Sequence, residues 1–330
     1  MAVCDIVIPF YQRAPGILSR ALESIFRQSM TDYRIIVVDD GSPSPAELDL
    51  TNCSEDQIAK IHIVKQVNGG VSKARNTGLN AVSDDAEFVA FLDSDDEWTT
   101  DHLTRAATAM SQDGVDLFWD ALAEDAKFGD FAEPSRLIDP AIREALKDCD
   151  GVYEVFNMRK VMCGPWWRHL HLSCTVISAQ IAKQIRFRED LGLAEDFEFF
   201  LQCAQNANRV TASDIPGTER GEGDNIWHGV TADDIRYAEE KLIMADLLLD
   251  FREDPLLDAK DQEVLHLRLQ NLREQFYWSQ TRRIKAMKFI NLDLLIKWLA
   301  RDPGIVGLAL SLIFKTSKTG GKTMVSGDNR

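Results

Sequence analysis

Nowhere in the 330 residues does an apolar run approach the ~20 residues that a membrane-spanning helix needs; the longest, residues 304–314, stops well short. The amino terminus also lacks a secretory pattern, because Asp5 and Pro9 interrupt its apolar stretch. Both absences predict a soluble or peripheral protein. The six cysteines, Cys4, Cys53, Cys149, Cys163, Cys174 and Cys203, include no CxxC pair, and most lie in apolar stretches. That argues against a disulfide scaffold or a cysteine metal site and predicts reduced core thiols in a cytoplasmic protein. Internal repeats are absent, and the only low-complexity tract is the polar end, 315–330. Positive charge is scarce: 37 Lys and Arg face 53 Asp and Glu, for a net charge of −16. Nucleic acid is thereby disfavoured as a partner, since phosphate contacts need a basic face. A sugar nucleotide stays open, because carboxylates can hold one through a metal ion.

The charge is also uneven. From Arg282 onward ten basic residues face three acids, net +7, which leaves −23 for the rest. An acidic body with a basic, apolar tail predicts either a membrane surface or anionic partner for the tail, or a solvated terminal helix.

Strand and helix signals alternate through the first hundred residues. Residues 3–8 (VCDIVI), 33–38 (YRIIVV), 61–64 and 87–92 (EFVAFL) read as strands, and 17–28 and 71–82 as helices. On the first helix Leu18, Leu22, Ile25 and Phe26 share one face. Strands without strict polar alternation, separated by helices, predict an open, mostly parallel α/β sheet covered on both faces. Such sheets hold ligands beyond the carboxyl ends of their strands. Residues 101–111 read as a further helix and 115–119 as a strand; a less regular region follows to about 220, and almost everything beyond 233 reads helical.

Three acidic clusters stand at these strand and helix ends. Asp39 and Asp40 end the second strand in VVDDGS; Asp-Gly suits a tight turn, and a carboxylate there can also accept a hydrogen bond from a base or ribose. Asp93, Asp95 and Asp96 follow the fourth strand in FLDSDDEW. Three carboxylates so close repel one another unless a cation relieves them, and a divalent ion with hard oxygen ligands would also bridge a diphosphate. A solvated acidic turn is the alternative. Glu195 and Asp196, in AEDFEFF, open a helix, where they suit its dipole or supply a general base.

Taken in order, VIPFYQR, SIFRQS, IIVVDDGS, NGGVSKARNTGL, FVAFLDSDDEW and AEDFEFF resemble family 2 inverting glycosyltransferases with the GT-A fold, over about residues 3–205. Within that family the chain is similar to bacterial exopolysaccharide glucosyltransferases of the succinoglycan type. The resemblance implies a Rossmann-like sheet with a helical C-terminal extension. It implies a nucleotide-sugar half at 1–100, an acceptor and catalytic half at 101–230, and the extension at 231–330.

It also implies roles. Pro9, Phe10 and Tyr11 would cup the base, with Asp39 on uracil or ribose and Asp40 supporting the loop. Arg75, Asn76, Asp93 and Ser94 would lie near the nucleotide, and Gly69 and Gly70 open a helix whose N–H groups suit phosphate. Asp95, with Asp93 and His228, would hold Mn2+ or Mg2+, Asp96 being surplus to the acid–x–acid pattern. Asp196 would be the catalytic base, with Glu195 as its neighbour, and one of Trp166 and Trp167 would stack on sugar or acceptor. The implied reaction moves a hexose, glucose favoured, from a UDP-sugar to a saccharide acceptor, which would be polyprenyl-diphosphate-linked.

In the tail, Met287, Ile290, Leu294 and Trp298 are spaced for one helical face, with Arg283, Lys285, Lys297 and Arg301 elsewhere around it. Such a helix could rest on an anionic inner membrane, pack on the catalytic domain or form a homodimer. Two rival functions remain at this point. FLDSDD also fits a haloacid-dehalogenase-type phosphatase with Asp93 as nucleophile and Asp95 as acid/base, although that chemistry prefers its motif on the first strand. The other rival is a non-catalytic scaffold that binds sugar nucleotides.

Overall fold

The computed structural model describes residues 4–123, 134, 138–147, 149–164, 170–221 and 230–304. The chain packs as two units, Met1–Asn225 and Ile226–Arg330.

The first unit is built on one sheet. Its strands are β1 (Cys4–Phe10), β2 (Tyr33–Asp39), β3 (Ile61–Lys65), β4 (Phe88–Phe91), β5 (Glu97–Trp98), β6 (Val115–Leu122), β7 (Arg143–Ala145), β8 (Val152–Val155), β9 (Thr175–Ser178) and β10 (Arg209–Glu219). They lie in the order β3-β2-β1-β4-β9-β6-β10-β8-β7, with β5 against the end of β10. The first four are parallel, as their continuous apolar runs require: β1 and β4 are buried along their whole length and β2 almost so. Helices α1 (Ile17–Phe26), α2 (Glu55–Ile58), α3 (Val71–Asn80), α4 (His102–Met110), α5 (Met158–Cys163), α6 (Ala179–Gln184) and α7 (Glu195–Asn206) connect and cover the strands. Pro9 fits inside β1 because pairing to β4 ends at Val7 beside Phe91, so the missing N–H interrupts no ladder there.

The second half of the sheet is mixed. β6 and β10 are parallel, but β9 enters between β4 and β6 antiparallel to both. Its amino-terminal end therefore lies beside the carboxyl end of β4, with Phe88 opposite Ser178 and Ala90 opposite Val176. One sheet thus spans both halves expected of the first 230 residues.

Two contacts hold α3 and the first strands in place. Asp5, fully buried, takes both arms of Arg34 at 3.1 and 2.6 Å and the Ser83 N–H at 2.6 Å. Gly78 lets α3 lie directly on β1, since a Cβ there would meet the Val7 side chain at 2.3 Å. Of the six cysteines five are buried, and none is in a disulfide.

The second unit contains α8 (Ile235–Phe251), α9 (Ala259–Lys285) and α10 (Leu292–Arg301). A capping box between Asp258 and Asp261 starts α9. Trp298 packs on Phe276, ring centres 4.6 Å apart, and Arg273 grips Asp302 with bonds of 2.6 and 2.7 Å. The single helical face expected of Met287, Ile290, Leu294 and Trp298 is broken. Ala286 ends α9, Met287 takes a left-handed φ of 56°, and Asn291 caps α10 through the Leu294 N–H. Leu294 and Trp298 are buried, whereas Met287 and Ile290 precede α10 and are exposed. No described helix is long and apolar enough to cross a membrane.

Candidate active site

The carboxyl ends of β1, β2 and β4 carry the first residues of the site. At the end of β1, Pro9 and Phe10 are buried and only Tyr11 exposes its side chain. Gln12 ties this loop to its neighbours: its N–H donates to Ser42 Oγ at 3.0 Å and its side-chain amide to Ser94 Oγ at 3.2 Å. Both acids after β2 hold loops. Asp39 accepts the N–H groups of Ser42 (2.8 Å) and Ala46 (3.1 Å). Asp40 accepts those of Gly69 and Gly70, both at 2.8 Å, and the Gln66 amide at 2.7 Å. The N–H groups of that glycine pair are thus already bonded to a carboxylate of the chain.

On α3 the adjacent residues Arg75 and Asn76 do different work. Asn76 brackets Phe187, accepting its N–H at 2.9 Å and donating to its carbonyl at 2.8 Å, and also donates to Glu189 at 3.0 Å. Its amide joins α3 to the segment leading into α7. Arg75, almost fully buried, donates to Asp93 Oδ1 at 2.8 Å and to Glu195 Oε1 at 3.1 Å. One guanidinium therefore joins the second and third acidic clusters, which are a hundred residues apart in the chain. The phenyl ring of Phe187 lies beneath it, 5.3 Å from the guanidinium carbon.

The acids after β4 are unequal. Burial opposes ionisation of Asp93, but Arg75, with His171 and Arg220, more than offsets this and holds the carboxyl below its usual range. Asp95 and Asp96 are each pushed up to about 6, first by burial and then by the charge of Asp93. Ser173 Oγ donates to Asp96 Oδ2 at 2.6 Å and accepts the Asp93 N–H at 3.1 Å. The Ser173 carbonyl is held in turn by Trp98 Nε1 at 2.6 Å and Thr218 Oγ1 at 2.9 Å. On the far side the Gly221 N–H donates to Asp96 at 3.2 Å; a Cβ on Gly221 would lie 1.5 Å from the Asp95 carbonyl oxygen.

His171 completes the group. Burial pushes its pKa down to about 4, so the ring is neutral, and its Nδ1 accepts the Ser173 N–H at 3.3 Å. Nδ1, whose one lone pair takes that N–H, lies 3.6 Å from Asp96 Oδ2. Asp93, Asp96 and His171 each bring a donor atom within 4.8 Å of the others. Electron-rich atoms crowded in this way, two of them carboxylates, suit a hard divalent cation.

The sequence reading missed His171 and Ser173. The only signal was the HLHLSC string just before β9, and nothing in it says that β9 runs antiparallel beside Asp93. Asp96, left over by the acid–x–acid pattern, is the carboxylate that faces His171. His228, Trp166 and Trp167 lie outside the described residues.

At the head of α7 the two acids also differ. Glu195 is held by Arg75. Asp196 accepts only the N–H of Phe197, at 2.7 Å, among the described residues. Burial and then the charge of Glu195 raise its pKa to about 7, against a partial opposing effect of Arg75. Ala194, just before them, sits at a left-handed φ of 58°, which turns the chain sharply into the helix. Behind it Phe199 stacks on Phe187 with ring centres 4.1 Å apart and meets Phe91 edge-on at 5.5 Å, anchoring α7 to the sheet.

Comparison with known proteins identifies the family and the fold. The family described as Glycosyl transferase family 2 matches residues 5–190. The succinoglycan biosynthesis protein ExoW of Rhizobium meliloti is 38% identical over 317 residues, covering 94% of this chain and 98% of that protein. The UDP-Glc:alpha-D-GlcNAc-diphosphoundecaprenol beta-1,3-glucosyltransferase WfgD of Escherichia coli is 25% identical over 148 residues, 44% of this chain and 55% of that protein. Among solved structures, S. aureus TarS 1-349 in complex with UDP-GlcNAc superimposes with a TM-score of 0.59 at 19% identity, covering 93% of this chain and 81% of that one. That likeness establishes the GT-A architecture, and the sequence matches remove the phosphatase reading of Asp93. With a family match over more than half its length and a relative aligned over nearly all of it, the chain belongs to glycosyltransferase family 2 and is a glycosyltransferase.

Proposed function

We propose that this enzyme transfers a hexose, glucose favoured, from a UDP-sugar to a lipid-linked saccharide acceptor during exopolysaccharide synthesis, with inversion at C1. The observation that carries the reading is the Arg75 bridge. It sets Asp196, a carboxyl poised near neutrality, within the same cluster as the acids after β4. The names of ExoW and WfgD support the polysaccharide setting, the UDP-glucose donor and the diphospholipid acceptor.

In this reading Asp196 accepts the proton of the acceptor hydroxyl as that oxygen bonds to C1. The bond from C1 to the diphosphate breaks with its electron pair leaving on the diphosphate, and a single displacement on an α-linked donor gives a β-linked product. Arg75 ties the neighbouring Glu195 carboxylate back at 3.1 Å, leaving Asp196 beside it to take the proton. Mn2+ or Mg2+, held by Asp93, Asp95 and Asp96 with His171, would neutralise charge on the departing diphosphate. Tyr11, Asp39 and Ser94 line the nucleotide end in this proposal, and Pro9 and Phe10 shape it from beneath.

Calorimetry with UDP in Mn2+, Mg2+ or EDTA, with GDP as control, tests the donor site; uridine-selective, metal-dependent heat is expected. Asp196→Asn is expected to lower transfer from UDP-glucose by about 10²–10⁴-fold, the usual contribution of a general base, and to leave UDP binding unchanged. Near-normal transfer by that variant would remove the base from Asp196.

A further inference from the structure

The turn between α9 and α10 leaves large apolar side chains uncovered. Met287 and Phe289 are each 93% exposed, and Ile284, Ile290, Leu292 and Ile296 around them are also exposed. The turn is nonetheless held in shape. Arg283 donates to the Phe289 carbonyl at 3.2 Å and to the Asp233 carbonyl at 2.9 Å, Lys288 pairs with Asp233, and Asn291 caps α10. The Phe289 carbonyl is thus bonded back to α9 while the apolar side chains protrude.

The surrounding charge is mainly basic, although Lys288 pairs with Asp233 and Arg301 with Asp246 and Asp250. Between Arg282 and Arg301 there are six basic residues and one acid, Asp293, in a chain whose net charge is −16. Lys285 and Lys297 are exposed and make no ion pair among the described residues. Immediately beyond α10 the sequence runs uncharged through IVGLALSLIF (305–314) and then carries Lys315, Lys318 and Lys322.

We propose that this tip, Met287 to Leu292 with Ile296, inserts into the interfacial layer of an anionic bilayer, with Lys285 and Lys297 against the headgroups. Side chains that protrude singly need no shaped pocket in a fluid bilayer, and lysines beside them gain from anionic lipid. A second copy docked on the same face would bring two sets of Lys285 and Lys297 to one interface. Like charges repel there; anionic lipid attracts. The inference is independent of the donor and acceptor proposed above, because vesicle binding reads it without any transfer.

The test is co-sedimentation of the full-length protein with vesicles of phosphatidylcholine alone or mixed with phosphatidylglycerol. Binding to the mixed vesicles that weakens with salt is expected. The double variant Met287→Ser, Phe289→Ser should lose at least about ten-fold of that binding while keeping its circular dichroism, since neither side chain packs on the protein. Lys285→Glu with Lys297→Glu should lose a similar factor on the anionic vesicles only. Absence of binding by the wild type, or undiminished binding by the serine variant, overturns the proposal. So does a wild-type dimer, seen by sedimentation velocity without vesicle binding, that the serine variant turns to monomer.

Discussion

Arg75 and Asp196 show how single side chains set the chemistry of this site. Arg75 is buried and remains charged because two carboxylates compensate it, and its charge in turn holds the Asp93 carboxyl below its usual range. Asp196 has no such partner among the described residues, and burial and the charge of Glu195 lift it to about 7. Two consequences follow, of opposite sign. Transfer needs the ionised base, so kcat/KM from UDP-glucose should rise with pH up to about 7 and then level, a rise that Asp196→Asn should abolish. Folding stability should move the other way. A carboxyl whose folded value lies above its unfolded value of 3.8 binds more protons folded than unfolded between the two. Its contribution is therefore full below the unfolded value and declines as pH rises through about 7, as urea denaturation at several pH values would record.

At the scale of elements, the decisive feature is the direction of β9. Running antiparallel to β4, it delivers His171 and Ser173 to the very end where Asp93 to Asp96 emerge. Had it been parallel, its start would lie beside the amino end of β4. Ser173 acts as a positioning residue: it orients Asp96 and the Asp93 backbone while its own carbonyl is pinned by Trp98 and Thr218. Ser173→Ala should weaken Mn2+-dependent UDP binding by about 10–100-fold, as loss of a partner behind a metal ligand usually does, with metal-free UDP heat unaltered. Titration calorimetry in Mn2+ and in EDTA separates the two. Helix α7 shows the complementary case. Its acids could be read as dipole-complementing residues from sequence; Phe187 and Phe199, stacked beneath Arg75, with the Asn76 and Arg75 bonds, aim that helix start at β4.

At the scale of the molecule, the two units have different origins of stability. The first rests on the sheet core, with the half-buried Asp5–Arg34 pair tying β1 to β2. The second is a helical unit whose three described helices pack through buried Leu, Met, Phe and Trp side chains, Trp298 on Phe276 among them. Trp298→Ala should cost about 3–5 kcal/mol, read as faster hydrogen exchange along α9 and α10. The exposed tip beside this core is where periodicity misled. Met287 and Ile290 match Leu294 and Trp298 at helical spacing, yet the chain leaves the helix between them and separates a buried pair from an exposed one.

The sequence by itself determined the first four strands, their parallel pairing and the acids at their ends. Each of these follows from local order: apolar runs that must be buried on both faces, and carboxylates where those runs stop. It also carried enough motif to place the chain in its family. Only the tertiary structure decided which carboxylates face one another. Asp93 and Glu195 meet because Arg75 reaches both, and Asp96 meets His171 because an antiparallel strand returns beside β4. Such pairings depend on through-space distances of a few ångströms between segments far apart in the chain, and no periodicity or composition encodes them.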